Sequence, residues 1–547
     1  MLRRSLFAFC VAWLLATFAG CSGQNAPNGG TDPTAPTPPA PSAASTFRIV
    51  SGSENQTLQP IIERFGAQNG VQIKMDYRGS VDIMAMLESG AADADAVWPA
   101  NSLWIALGDS RKHVKDTRSI FWSPVVFGVK RSVARSLGWS SGKEVSVEAI
   151  LQAAEAGKLR YMMTSATQSN SGASAYLGYL YAFAGKPEVL TASHLQNTAV
   201  QSKIKRFLGT VNRSAGSSGF LKDLFLQKYD DYDAMVNYEA VVIETNQALV
   251  AQGKEPLVVV YPADGLAIAD SPLGYVDQND PAKAAIFRKL QEYLLSDPVQ
   301  QEILKQGRRI GPVGVAPKGA DPALFNPDWG ISLSRFLSPI KYPKAEVIRE
   351  ALDLYQSSFR KPSYTVYCLD FSGSMQGERE EGLKTAMQNI LVQERAKKSL
   401  LQATSKDVTV VITFSDQVLN QWKVEGSDPA QMSQLWANIQ ASSPRGGTDI
   451  YTPIMRGLDL IHDQANRDHY FPSIILMTDG ESNTGVSFDA LQAHRQQTAQ
   501  TNVPVFAIQF GEASPDQLKR ITAETQAKLF DGKSDLSRAF RDAKGYN

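Results

Sequence analysis

The chain predicts an α/β fold in more than one unit, on three observations. From Phe47 onward, short apolar strands alternate with amphipathic helices. Gly/Ser-rich turns follow the strands, as at Ser51-Gly52-Ser53 and Arg78-Gly79-Ser80. After Pro362 the alternation restarts with near-continuous apolar runs such as Val408 to Phe414. Strands that alternate with helices imply a parallel sheet covered on both faces. The 547 residues leave room for several units, at about 150 residues per domain. Hydrophobic residues at 43% and charged residues at 20% are globular values, which exclude a disordered or multi-span membrane chain. Lys+Arg and Asp+Glu are both 55, so no net charge draws nucleic acid and none is expected as a partner.

The first segment reads as a targeting signal. Arg3 and Arg4 precede the apolar run Leu6 to Ala16, which is shorter than the about 20 residues a bilayer span needs. It ends in Phe18-Ala19-Gly20-Cys21, which resembles the lipobox of bacterial lipoproteins, with Phe18 in place of the usual Leu. The resemblance implies a signal peptide over 1–21 and a diacylglycerol on Cys21, with stable membrane anchoring once a second chain is added. The alternative is an ordinary cleaved signal. Cys10 is then discarded, and Cys21 and Cys368 remain. Residues 22–45 are rich in Pro, Ser, Thr, Ala and Gly and read as a tether, about 3 Å per residue where polyproline-like.

The middle segment takes its elements in order. Phe47 to Val50 is a strand, and Leu58, Ile61, Ile62 and Phe65 mark one helix face. Val71 to Tyr77 is the second strand, and the helix through Ile83, Met84 and Leu87 stops at Gly90. Asp95 to Trp98 is the third strand. Later, Tyr161 to Met163 leads into the loop Ser165 to Ser174 and an apolar helix. Met235 to Glu244 and Leu257 to Tyr261 follow, and Pro281 to Lys305 reads as one long amphipathic helix. The turns fall at strand ends and helix starts, where open α/β sheets bind ligands. This order, with the Ser-Gly-Ser-Glu-Asn, Arg-Gly-Ser and Ser-Asn-Ser-Gly-Ala turns, resembles the periplasmic solute-binding proteins of the molybdate and phosphate type, over 46–343. The resemblance implies two lobes closing on a small solute, with Phe121 to Lys130 as the first crossing. By position it puts Ser53, Ser80 and Ser171 at the solute and Asn237 and Glu239 near the return crossing. Serines at helix starts also serve as caps. Glu54 and Glu239 would repel an anion, which leaves the solute class open.

The C-terminal segment carries the sharpest pattern. Tyr364 to Leu369 is a β-branched and aromatic strand that ends in Asp370-Phe371-Ser372-Gly373-Ser374, and one helix is expected through Leu383 and Met387 to Leu400. Gly446-Gly447-Thr448-Asp449 precedes another helix, Ser473 to Met477 runs into Thr478-Asp479-Gly480, and Val503 to Phe510 is one more strand. Asp370, Ser372, Ser374, Thr448 and Asp479 are expected at strand C-termini on one edge of a doubly wound sheet. Two carboxylates and three hydroxyls suit a hard cation such as Mg²⁺ or Mn²⁺ and leave part of its shell open. Residues 361–547 resemble a von Willebrand factor type A domain, a Rossmann-like fold whose metal-ion-dependent adhesion site uses these five positions. The resemblance implies a protein partner that contacts the metal through a carboxylate. Asp449 reads as a helix cap and Cys368 as a buried hydrophobe. Residues 344–360 read as a connecting helix.

The five histidines form no ligand or triad spacing, and no nucleophile elbow or P-loop occurs, so an enzyme is not expected. The reading is a cell-envelope binding protein, anchored by lipid and facing the periplasm, that binds a solute and a protein partner. Ser22 after Cys21 favours the outer membrane by the sorting rule of Gram-negative lipoproteins. The alternative is the capture component of an ABC-type importer with an accessory domain.

Overall fold

β-Branched runs and glycine stops build the first lobe. The computed structural model describes residues 45–90, 93–139, 143–313, 315–331, 333, 337–500 and 502–546. The expected signal peptide, Cys21 and the tether lie outside the described residues. Ser45–Gly52 (β1), Val71–Arg78 (β2) and Ala96–Trp98 (β3) pair in parallel around β1. The helices between them end at Gly70 and Gly90, with φ of 65° and 72°, a conformation glycine adopts without a Cβ clash. Val114–Ser119 (β4) closes this first stretch. The second lobe holds Ser123–Lys130 (β5), Tyr161–Thr164 (β6), Arg213–Ala215 (β7), Ala234–Tyr238 (β8), Leu257–Val260 (β9) and Ile268–Ala269 (β10). Pro272–Val276 (β11) then returns to the first sheet.

The sheet orders are β2-β1-β3-β11-β4 and β10-β5-β8-β6-β7, with β9 also on β5. The chain therefore crosses between lobes twice, from β4 to β5 and from β10 to β11. The first crossing is the short link 120–122, at the start of the expected 121–130, whose remaining residues form β5 of the second lobe. The return runs through 268–276, whereas Asn237 sits on β8 opposite Val126 of β5. Both sheets are mixed, because β11 is antiparallel to β3 and β5 is antiparallel to β8. A strand arriving from the other lobe enters its new sheet from the opposite end.

Two long helices of the sequence reading are broken. Residues 281–305 form Pro281–Leu294 and Asp297–Leu304. Pro298 has no N–H for the ladder, and its ring would meet the carbonyl one turn earlier. Residues 378–400 form Glu378–Leu391 and Gln393–Lys398, with Val392 extended between them. The break lets the Gln393 amide bond Leu391 O at 3.0 Å and the Ala403 N–H at 2.9 Å. The connecting helix is Ala345–Leu354, continued by a π turn to Phe359. It is packed into the second lobe. Val347, Ile348, Ala351 and Leu352 share one core with Tyr176 and Tyr179, and the Tyr176 hydroxyl donates to Ala351 O at 2.8 Å.

The third sheet consists of Ser363–Asp370 (β12), Val408–Phe414 (β13), Val418–Glu425 (β14), Phe471–Thr478 (β15), Val505–Gln509 (β16) and Leu529–Asp531 (β17). Their order is β14-β13-β12-β15-β16-β17, parallel except for the antiparallel β14. That is a doubly wound order, with its direction reversing between β12 and β15, where such sheets bind ligands. Apolar cores cover both faces. β14 is an edge strand with a largely exposed polar surface and no continuous apolar run, so nothing in the sequence marks it.

Candidate functional site

β12 ends on Asp370, which is fully buried. The Ser372 N–H donates to its Oδ1 at 2.7 Å, and Thr478 Oγ1, at the end of β15, donates to its Oδ2 at 2.5 Å. One residue on, Asp479 Oδ1 accepts from Ser374 Oγ at 2.8 Å, and Ser374 Oγ lies 3.1 Å from Ser372 Oγ. Four of the five sequence-predicted residues are thus linked across the switch between β12 and β15. The fifth, Thr448, does not follow a strand. It sits in the loop between helices Pro429–Gln440 and Tyr451–His462. Backbone bonds tie that loop to the sheet edge, from Gly373 N to Gly446 O (3.1 Å), Arg445 N to Phe371 O (2.8 Å) and Asp449 N to Ser415 O (2.7 Å). Gly480 marks the meeting point, because a Cβ there would stand 3.4 Å from Thr448 Oγ1 and 3.6 Å from Ser374 Oγ. Asp449 accepts from the N–H groups of Tyr451 and Thr452 and from Thr452 Oγ1 at 2.6 Å, as a helix cap does. Cys368 is buried, and burial pushes its thiol well up.

This donor set is all oxygen and fits a hard cation. Among the described residues no group of three His, Cys, Asp or Glu side chains converges, so any shell here is mostly hydroxyl. Burial pushes the Asp370 carboxyl up to about 6, and the charge of Asp479 adds to the rise. A cation would offset both effects. One cation already sits here. Arg379, in the first turn of helix Glu378–Leu391, places Nη1 2.6 Å from Asp479 Oδ2. Nothing in the run Gly377-Glu378-Arg379-Glu380-Glu381 singles it out in sequence.

The two lobes are shut on each other. The Val81 N–H donates to Gln168 O at 3.0 Å, and Trp104 Nε1 to Asn170 Oδ1 at 2.7 Å. Ser53 Oγ accepts from the Gly219 N–H at 3.1 Å, also across the cleft. Ser171 Oγ lies 3.0 Å from Ser218 Oγ, and Asn237 Nδ2 donates to Ser218 O at 3.0 Å. Ser53, Ser171 and Asn237 therefore gather at the start of helix Ser218–Gln227. Ser80 stands apart, accepting from the Ala100 N–H at 3.0 Å inside the first lobe.

The cavity left between the lobes is lined by other residues, including Glu54, Phe121, Ser123, Tyr238, Ser271 and Arg308. Its ≈ 10 Å³ is about the room one water needs. Glu54 Oε1 and Arg308 Nε are buried there without a hydrogen-bond partner among the described residues. Burial pushes the Glu54 carboxyl up to about 7. Glu239 does not stand as an uncompensated charge. Arg309 donates to both its oxygens, at 2.7 and 2.8 Å, and Tyr261 donates to one of them. Arg309, 70 positions from Glu239 in the chain, supplies this neutralisation, and Arg308 beside it pairs with Glu244 at 3.0 Å rather than with the Glu54 carboxyl.

A family model for bacterial extracellular solute-binding proteins matches residues 48–309, and one for the von Willebrand factor type A domain matches residues 366–542. The inter-alpha-trypsin inhibitor heavy chain H2 of Homo sapiens is 26% identical over 196 residues, 34% of this chain. This chain spans about a fifth of that relative's length, 20%. Among solved structures, the periplasmic binding protein P5PA is 13% identical with a TM-score of 0.37, covering 53% of this chain and 96% of that one. A von Willebrand factor type A protein from Catenulispora acidiphila is 15% identical with a TM-score of 0.28, covering 35% and 43%.

Proposed function

We propose that this chain, which carries a bacterial extracellular solute-binding domain followed by a von Willebrand factor type A domain, is an extracytoplasmic binding protein with two ligands. A small solute goes between the lobes, and a protein partner docks on the oxygen site of the second domain. The observation that carries this reading is the convergence of Asp370, Ser372, Ser374, Thr448 and Asp479 at the switch between β12 and β15. Mg²⁺ or Mn²⁺ held there would supply an open position for a partner's Asp or Glu. Asp370 and Asp479 provide the charge, Ser372, Ser374 and Thr448 the neutral oxygens, and Thr478 and the Ser372 N–H hold Asp370 in place. On the solute side, Ser53, Ser171 and Asn237 line up on Ser218-Gly219, with Ser80 on the facing lobe and Glu54 and Arg308 in the chamber. A lipid on Cys21 would fix the protein to the membrane, with the outer membrane favoured by Ser22. No helix among the described residues is long and apolar enough to cross a membrane.

Calorimetric titration of the full chain with Mg²⁺ tests the metal site. One weak site is expected, lost in Asp370→Ala. Equal affinity in both proteins, with circular dichroism unchanged, would reduce the five residues to turns and caps. A thermal-shift panel of oxyanions, amino acids, sugars and polyamines tests the cleft, with about 2.7 kcal/mol of stabilisation expected at one hundred times Kd.

A further inference from the structure

The last helix of the chain, Leu536–Gly545, belongs to the third sheet's core through Ala539, Phe540 and Ala543. Its outer side and the following Tyr546 reach both lobes. Toward the first lobe, Arg538 Nη2 lies 3.3 Å from Asp76 Oδ1, near the end of β2. Toward the second, the Tyr546 hydroxyl donates to Ser217 Oγ at 3.1 Å, and its ring meets Phe220 edge-on at 5.3 Å. The approach is close on both sides, against a ring at Gly216 and against the movable end of Gln168 at Gly545. A Cβ on Gly216 would fall 2.2 Å from the Tyr546 ring, and one on Gly545 would fall 1.4 Å from Gln168 Nε2.

Gln168 joins all three parts. Its carbonyl takes the Val81 N–H across the cleft, and a Cβ on Gly79 would stand 2.1 Å from that carbonyl. Its amide end lies under Gly545. Ser217 precedes the Ser218-Gly219 pair that holds Ser53, Ser171 and Asn237. The helix thus sits over the seam between the lobes, beside the proposed solute residues.

We propose that Leu536–Gly545 with Tyr546 is a strap that recognises the closed lobe pair and holds it shut, making the solute a controller of whether the second domain is docked. The inference rests on the two-lobed reading above. The docking surface is composite, with Asp76 on one lobe and Gln168, Gly216, Ser217 and Phe220 on the other. Rotating one lobe away separates the two halves, and the helix cannot keep both. Whatever favours closure favours docking, and docking favours closure to the same degree.

Gly216→Leu tests this, because a side chain there must displace the Tyr546 ring, and with it the ring's packing on Phe506 and Phe530, while the Ala539, Phe540 and Ala543 contacts of the helix stay. Asp76→Asn with Ser217→Ala is the second variant, should the first disturb the lobe. Hydrogen exchange is measured on the full chain without any solute, so a flat solute panel and a failed strap are separate results. Exchange is expected to rise on the order of tenfold at the 536–546 peptide and at the peptide carrying the Val81 amide, with β13 unchanged. A rise at 536–546 with Val81 still protected would overturn the strap. No rise at either would show that the helix is not seated as described, and would overturn it too.

Discussion

Asp370, Ser372, Ser374, Thr448 and Asp479 hang from one sheet and a loop bonded to its edge. Glu54, Ser123, Tyr238, Ser271 and Arg308 meet from two sheets, across a seam closed by single hydrogen bonds such as Val81 to Gln168. The first set keeps its geometry as long as the ladder between β12 and β15 exists. The second exists only while the lobes stay together. A ligand at the first site therefore finds its donors already placed, whereas the second site is complete only when the lobes meet, and its ≈ 10 Å³ is room for about one water, so a larger solute would hold the lobes further apart than they stand here.

The largest effect is expected beneath the cleft. Glu239→Ala would leave the Arg309 guanidinium buried and stripped of its main counter-charge. Removing one partner of a buried pair costs about 3–5 kcal/mol, read as a fall in the urea midpoint. A loss under 1 kcal/mol would mean that the pair is not buried as described and that the cleft floor is softer than the sheet edge. Second, Asp370→Ala removes the most enclosed carboxylate of the oxygen site. A charged hydrogen-bonding group contributes about 1.5–3 kcal/mol, so Mg²⁺ affinity measured by calorimetry is expected to fall ten- to a hundredfold. Third, Arg379→Ala removes the guanidinium that competes for Asp479. Its side chain is 36% exposed, and exposed ion pairs contribute about 0–1 kcal/mol. Mg²⁺ affinity should therefore rise only a few-fold in the same titration. Unchanged affinity would mean that Arg379 swings clear without cost.

The smallest effect concerns pH at the seam. Burial pushes the Asp82 carboxyl up to about 7, with Asp542 of the last helix adding to the rise and Arg541, Arg538 and Arg78 opposing it. Asp542 is raised as well, again by burial first. A carboxyl that holds its proton more tightly when folded favours the folded, docked state at low pH. That contribution falls away as pH rises from the ordinary carboxyl range near 4 through about 7. Asp82→Asn should therefore flatten the decline in melting temperature between pH 5 and 8 and should matter little at pH 4. A wild-type profile that rises over that window would contradict the assignment.

Much of this protein was legible in the chain itself. Glycine at the ends of the first two helices, apolar runs for buried strands and the serines at Asp370-Phe371-Ser372-Gly373-Ser374 are local features, and the period and turn chemistry that encode them act within a few residues. Tertiary structure decided what depends on segments meeting. Thr448 reaches the site from a helix-to-helix loop because backbone bonds to Phe371, Gly373 and Ser415 draw it there. Arg379 stands on Asp479, and Arg309 on Glu239, through contacts between residues 100 and 70 positions apart. The edge strands β4 and β14 carry exposed polar residues and pair only because a sheet edge is offered to them. The fit of Gly216 and Gly545 against Tyr546 and Gln168 leaves no periodic trace either, since a glycine chosen for close approach reads in sequence like one chosen for a turn.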